Sequence, residues 1–173
     1  VAVTIRRAES DDAHSLVEVA RQSIEVTAAP FYDDHQRSVW LATFTEDRMQ
    51  HFIQACEAFV ALDGSAIAGF SGLVGRPDGD GEIEFLHVRP SFAGRGVARR
   101  LIETVEGAAR RRSLPRLWAD ASLLARPVLE HLGYEVVETY QKEVRGAVFD
   151  NAWLRTSLSE ATSATRDALR PVP

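Results

Sequence analysis

The sequence predicts a mixed α/β (α+β) fold: a mixed, mostly antiparallel sheet of about seven strands flanked by helices. Three observations carry this reading. Helical periodicity fills residues 10–55, a run of short apolar segments with turn signals spans 57–88, and a long amphipathic stretch separates that run from a second group of strands ending near 158. Length and composition agree. The chain has 173 residues, 45% of them hydrophobic and 26% charged, and a chain of this size buries about 70% of its unfolded surface without a metal or disulfide staple. It reads as one domain over 1–158 and a Ser/Thr/Ala-rich tail over 159–173 that is expected to fray.

Residues 2–7 alternate as a strand. Ser10 stands where it would cap a helix running to about residue 26, with Asp11 and Asp12 in its first turn, where acids favour the helix dipole. Its apolar stripe is Ala13, Leu16, Val17, Ala20 and Ile24, and Pro30 ends the pattern. A second helix is expected over 33–44, and a third, capped by Thr45, ends near 55. Residues 57–62 and 66–74 read as strands joined by a hairpin turn at Asp63-Gly64, whose residue types favour positive φ. A polar loop over 76–81 leads into a third strand, 82–88, stopped by Pro90. The long helix covers 94–112 with Val97, Leu101, Val105 and Ala108 on one face. A short strand at 116–119, a helix over 122–132 closed by Gly133, and two strands over 134–144 and 147–158 turning at Arg145-Gly146 complete the chain. The link from 82–88 to 116–119 is expected to be a right-handed parallel crossover.

Several function classes are disfavoured. The net charge is −5, and the one basic block is Arg95, Arg99, Arg100, Arg110, Arg111, Arg112 and Arg116. An acidic chain with one local Arg block does not suggest a nucleic-acid binder, which usually shows a basic domain; a nucleic-acid surface at 110–116 is the weakest reading. Cys56 is the single cysteine, so neither an intramolecular disulfide nor a thiolate metal cluster is expected, and no His, Asp or Glu spacing suits a metal. The uncharged stretch near 66–75 is far shorter than a membrane span, and residues 1–7 lack the apolar core of a signal peptide. A cytoplasmic protein without membrane or nucleic-acid partners is expected.

The chemistry concentrates in Leu86-His87-Val88-Arg89-Pro90-Ser91-Phe92-Ala93-Gly94-Arg95-Gly96-Val97-Ala98-Arg99. A strand stops at a proline, turns on two glycines and enters a helix. Gly94 and Gly96 admit close backbone approach of a ligand. The free amides and dipole of the helix start then suit a phosphate or pyrophosphate, with Arg95 and Arg99 adding charge. A dinucleotide fingerprint would need a third glycine where Arg99 stands, and a P-loop would need Gly-Lys-Ser/Thr; neither is present.

Val88-Arg89-Pro90 followed by Gly94-Arg95-Gly96-Val97-Ala98 resembles motif A of the GNAT acyltransferase superfamily, and the element order over 2–158 is similar to that family's. The resemblance implies acetyl-CoA as cosubstrate and no metal. It implies that the amides of Gly94 to Arg99 hold the pyrophosphate and that the backbones of Leu86 and Val88 pair with pantetheine. The cofactor-binding set is then Leu86, His87, Val88, Ala93, Gly94, Arg95, Gly96, Val97, Ala98, Arg99 and Ser122. The strand at 82–88 is expected to splay from that at 116–119, forming the CoA cleft, with the Val88 amide facing the thioester carbonyl. The chain departs from the family pattern at three places: Ala93 replaces Gln/Arg, Ser122 replaces Asn, and Leu129 replaces a Tyr that often protonates the leaving thiolate.

Acylating an amine requires a base, and Glu82 and Glu84 lie on the relevant strand, sharing a face if it is regular. Tyr134 is a candidate acid. Tyr32 and Trp40 fall in the region that shapes the acceptor site in this superfamily. The implied activity is N-acetyl transfer to a primary amine of a small molecule or peptide by direct attack in a ternary complex. A non-catalytic acyl-CoA-binding or sensor module is the alternative, motivated by Ala93 and Leu129. A homodimer through the closing strands is compatible with the sequence.

Overall fold

A computed structural model describes residues 3–158. The tail expected at 159–173, and the first residue of the strand expected at 2–7, lie outside the described residues. The elements are β1 (Thr4–Arg7), α1 (Ala13–Gln22), α2 (Asp34–Leu41), α3 (Glu46–Ala55), β2 (Glu57–Asp63), β3 (Ala66–Gly75), β4 (Gly81–Val88), α4 (Val97–Arg111), β5 (Arg116–Ser122), α5 (Arg126–His131), β6 (Glu135–Val144) and β7 (Ala147–Ser157). They form one seven-stranded sheet in the order β1-β2-β3-β4-β5-β7-β6. The β4–β5 pair is parallel and the other neighbours are antiparallel.

Two apolar layers sandwich the sheet. On one face Leu101, Ile102 and Val105 of α4 pack against Leu73, Ile83, Leu117 and Leu154. On the other, Leu16 and Val19 of α1 and Met49 and Phe52 of α3 pack against Ala58, Val60 and Phe70. The alternation along β2 shows the division: Phe59 and Ala61 serve the first layer, Ala58 and Val60 the second.

Some boundaries differ from the sequence expectation, each for a local reason. Ser10 does not cap the first helix. Residues 10–12 form a 3₁₀ turn, and the Asp12 carboxylate accepts from the Glu9 amide at 2.8 Å and from the Arg6 guanidinium at 2.7 and 2.9 Å. Helix α1 stops at Gln22 and gives way to a π-helical turn over Ser23–Thr27, closed by the Ala28 amide on the Ser23 carbonyl at 3.0 Å. Helix α4 begins at Val97 rather than 94, because Pro90–Phe92 form a 3₁₀ turn and Gly94 and Gly96 take φ of +72° and +79°. Strand β5 runs on to Ser122 because β7 pairs with it that far, opposite Asn151, and α5 starts correspondingly later. The first hairpin closes on Gly64-Ser65, since Asp63 itself pairs with Ala66. The expected Thr45 cap is present, its hydroxyl accepting from the Arg48 amide at 3.2 Å.

Gly69 on β3 marks a close approach. A Cβ there would stand 2.8 Å from the His87 carbonyl oxygen, 3.1 Å from a Val88 methyl and 3.2 Å from a Leu101 methyl. The first contact is backbone, so β4 itself would have to move. Gly69→Ala is expected to cost about 1–3 kcal/mol, the usual range for overpacking. Urea denaturation would read this as a lower midpoint at unchanged slope; an unchanged midpoint would show that β3 and β4 separate freely.

Candidate active site

Strands β4 and β5 are held together at one end and part at the other. Their pairing runs from Gly81↔Leu117 to Ile83↔Ala119. Beside the paired end, the buried Asp80 carboxylate accepts from Arg116 Nε at 2.9 Å and Trp118 Nε1 at 2.7 Å, clasping the loop before β4 to β5. Beyond Ile83, β4 bulges. Ser71 opposes Leu86 while Gly72 opposes Glu84, leaving Phe85 as the extra residue at φ +62°. The bulge puts Glu84 and Phe85 on the same side of the strand, and it bends β4 where β5 leaves it.

The backbone beyond the bulge faces the gap. The Arg89 amide donates to the Ala68 carbonyl at 2.8 Å. By antiparallel alternation, His87 bonds toward β3, while the amides and carbonyls of Leu86 and Val88 point toward β5, which has diverged. The Val88-Arg89-Pro90 turn is fixed to β3 and α1: Arg89 donates to the Ile67 carbonyl at 2.6 Å and to Gln22 Oε1 at 2.9 Å.

Two cavities meet at this gap. One, about 540 Å³, is lined by Leu86 and Val88, the 92–99 turn, Val128 of α5, and Ser23 and Thr27 of the π-helical turn. Ala93, Gly94, Gly96, Val97, Ala98 and Arg99 all line it. A Cβ built on Gly94 or Gly96 would meet nothing within 4 Å, so the space above both glycines is open. No side chain caps the start of α4, and the first amides of a helix have no intrahelical partner. The other cavity, about 370 Å³, is lined by Tyr32, Trp40, Arg48, Glu82, Glu84, Phe85, His87, Asp120, Ser122, Lys142, Phe149 and Asn151, among others. Leu86, Leu124 and Ala125 line both.

Most of the residues singled out from the sequence fall on these walls. Tyr32 and Trp40 pack edge-to-face at 5.4 Å, and the Tyr32 hydroxyl accepts from the Leu123 amide at 2.8 Å. Glu82 and Glu84 share the smaller cavity. The Glu82 carboxylate is bonded to Arg76 at 2.7 Å, yet burial holds its pKa above the usual carboxylate range. Burial also raises Glu84, the neighbouring Glu82 charge raises it further, and Arg48 opposes the shift.

Four expectations change. Tyr134 does not reach either cavity; it is buried in the core beneath α4, where its hydroxyl donates to Glu106 at 3.1 Å, so it is withdrawn as the acid. The His87 side chain lies in the smaller cavity, not the larger one. It stacks on Phe70 at 5.4 Å beside Phe44 and Trp40, and burial together with the Arg48 charge lowers it to about 3, so the ring is neutral. Arg95 turns back on its own loop, donating to the Ser91 carbonyl at 3.1 Å and covering the Phe92 ring, and it lines neither cavity. Ser122 faces the smaller cavity and caps its own turn, accepting from the Ala125 amide at 3.2 Å. Leu129 is buried and lines the smaller cavity. Burial pushes the Cys56 thiol up to about 11, which suits no nucleophile.

The sequence reading missed a polar group opposite Glu84. Lys142 Nζ and Asn151 Nδ2 both donate to Asp120, at 3.0 and 2.6 Å. These residues come from β6, β7 and β5 and converge only because β7 lies between the other two. One signal was present: Lys142 is the only lysine in the chain. Arg48 was also missed, as were Ser23 and Thr27. The Thr27 hydroxyl oxygen is buried without a hydrogen-bond partner.

A sheet split beside a glycine turn and helix start, with a second cavity beyond the split, defines an acyltransferase of the acetyl-transferring type. The family model for the acetyltransferase (GNAT) family matches residues 19–134, and the chain belongs to that family. It is similar to YafP of Escherichia coli K12, an uncharacterised N-acetyltransferase, with 28% identity over 153 residues, 88% of this chain and 95% of that protein. Among solved structures it resembles a GCN5-related N-acetyltransferase from Rhodopseudomonas palustris, at TM-score 0.83 and 25% identity over 91% of this chain and 96% of that one. The PaiA N-acetyltransferase of Thermoplasma acidophilum, solved with coenzyme A, shares the fold at TM-score 0.75 and 16% identity over 91% and 99% of the two chains. So does YncA of Salmonella typhimurium, solved with acetyl-CoA, at TM-score 0.65 and 18% identity over 100% and 98%. No helix among the described residues is long and apolar enough to cross a membrane.

Proposed function

We propose that the protein moves an acetyl group from acetyl-CoA to a primary amine by direct attack in a ternary complex. The observation that carries this is the meeting of two cavities at the β4–β5 split, where Leu86, Leu124 and Ala125 belong to both. The larger cavity suits the cosubstrate. The amides of Gly94 to Arg99 would hold the pyrophosphate, and the outward-facing backbone groups of Leu86 and Val88 would pair with the pantetheine arm. Acetyl-CoA supplies the thioester, whose acyl carbon bonds to the amine nitrogen as the C–S bond breaks and CoA leaves as thiolate.

The chain's own residues do the rest. Glu84, whose carboxylate makes no hydrogen bond or ion pair among the described residues, takes a proton from the acceptor ammonium directly or through water. Glu82 keeps the Glu84 carboxyl basic through its charge. The Val88 amide, aimed into the split, stabilises charge as it develops on the carbonyl oxygen. The nitrogen sheds a second proton as the amide forms, and the leaving thiolate takes it up directly or through water; Leu86, Leu124 and Ala125, which line both cavities, are aliphatic and donate none.

Calorimetric titration with acetyl-CoA, CoA and ATP tests the reading. Acetyl-CoA and CoA are expected to bind, and ATP to bind far more weakly, because it lacks the pantetheine arm. Amines should then release free thiol. Absence of acetyl-CoA binding at millimolar concentration would overturn the assignment.

A further inference from the structure

The charges lining the smaller cavity are unequally matched. Glu82 is paired with Arg76 at 2.7 Å. Asp120 is paired with Lys142 at 3.0 Å and also accepts from Asn151. Two charges on the same wall are left over. The Glu84 carboxylate has no ion-pair or hydrogen-bond partner among the described residues. Arg48 has no carboxylate partner either, although the two groups feel each other's charge.

Arg48 is nevertheless held in place. Its guanidinium lies over the Phe44 ring at 5.3 Å and the Phe85 ring at 5.0 Å, and one nitrogen donates to the Thr43 carbonyl at 2.9 Å. It is solvent-accessible while lining the cavity. Stacking on two rings and a bond to a carbonyl orient a guanidinium and leave its remaining N–H groups for a carboxylate or phosphate. Phe85 is the bulged residue of β4, next to Glu84, so the same backbone irregularity positions the base and the surface that carries Arg48. The cavity, about 370 Å³, has the size of a small-ligand site.

We propose that the acceptor is a small amine that also carries an anionic group, a carboxylate or phosphate, with the amine facing Glu84 and the anion bound by Arg48. A molecule with both charges would complete both unmatched groups at once. A simple amine would satisfy Glu84 alone, and a polyamine would bring further positive charge toward Arg48. This inference rests on the acetyl-CoA reading above.

The test uses the full chain and matched pairs of acceptors. Each pair sets an α-, β- or ω-amino acid, a dipeptide or O-phosphoethanolamine against its neutral counterpart: the decarboxylated amine, the amide or ethanolamine. Acetyl-CoA binding is measured first, by calorimetry, then thiol release for each pair. At least one anionic member is expected to exceed its neutral counterpart in kcat/KM by about 10- to 100-fold, the span of a hydrogen bond to a charged group. Arg48→Met should bring that ratio close to one through a rise in KM, and Arg48→Lys should restore part of it. Binding of the same pairs to the CoA-loaded protein gives a readout independent of turnover, with the same preference expected. If acetyl-CoA binds but neutral amines serve as well, or no anionic amine binds or reacts, the proposal fails and the acetyl-CoA reading stands. A preference that survives unchanged in Arg48→Met also overturns it. If acetyl-CoA does not bind, both fall.

Discussion

Glu84→Gln is expected to lower kcat/KM by about 10²- to 10⁴-fold near neutral pH, the usual range for losing a positioned base, while acetyl-CoA affinity changes little. The amide keeps the shape and cannot take a proton. The pH profile adds a sign. Burial and the Glu82 charge raise the Glu84 carboxyl above its ordinary value. The active form is the carboxylate, so the rate should fall as pH drops through that raised pKa, at a pH above the usual glutamate range. Glu82→Gln removes the neighbouring negative charge, so the acid limb should move to lower pH. Glu84→Gln should abolish the limb.

The same shift makes a stability prediction. A carboxyl whose folded pKa is raised binds its proton more tightly in the folded state, so its contribution is fully present below the unfolded value and is lost as pH rises through the folded one. At neutral pH the ionised Glu84 therefore costs stability, and Glu84→Gln should melt higher than the parent. A slow variant that melts higher separates a catalytic role from a structural one. A variant that keeps its rate and its acid limb would remove Glu84 as the base.

Gly96→Val is expected to weaken acetyl-CoA binding by at least about 100-fold, equivalent to losing one or two hydrogen bonds to a charged group. Gly96 has φ +79° and forms the N-cap of α4, and a Cβ there would meet no protein atom within 4 Å. The side chain would therefore stand in ligand space rather than in the core. The left-handed backbone costs about 1–2 kcal/mol for an ordinary residue and more for a β-branched one, so the protein should still fold with a lowered melting temperature. Gly79→Val is the control. Gly79 has φ +88° in the loop before β4, also with nothing within 4 Å, and it lines neither cavity. It should lose comparable stability and keep its affinity. If both variants bind acetyl-CoA like the parent, the glycine turn is not the pyrophosphate site.

Much of the fold was legible because its signals are local. The meander at 57–88, the glycine turn and the amphipathic α4 each follow from period, turn chemistry and the φ that particular residues allow. The Thr45 cap is likewise a contact between neighbours in sequence. Where local reading failed, a distant group intervened. Asp12 takes Arg6 and the Glu9 amide, which displaces Ser10 from the cap. Pairing with β7 carries β5 three residues past its expected end at 119. The site was legible in the same proportion. Gly94, Gly96 and the start of α4 are one continuous segment and line the larger cavity together, while Arg95 lies inside that segment and still turns back on its own loop.

The sequence by itself determined the helices, the strands and the glycine turn before α4, because those depend on backbone preferences over a few residues. The tertiary structure decided which side chains meet. It bulged β4 at Phe85, so that Glu84 and Arg48 border one cavity. It set β7 between β5 and β6, so that Asp120, Lys142 and Asn151 converge across three strands. It drew Tyr134 into the core against Glu106 and left the junction of the two cavities aliphatic. Strand order and bulge position are settled by pairing and packing between residues tens of positions apart, and no local periodicity encodes which partner wins.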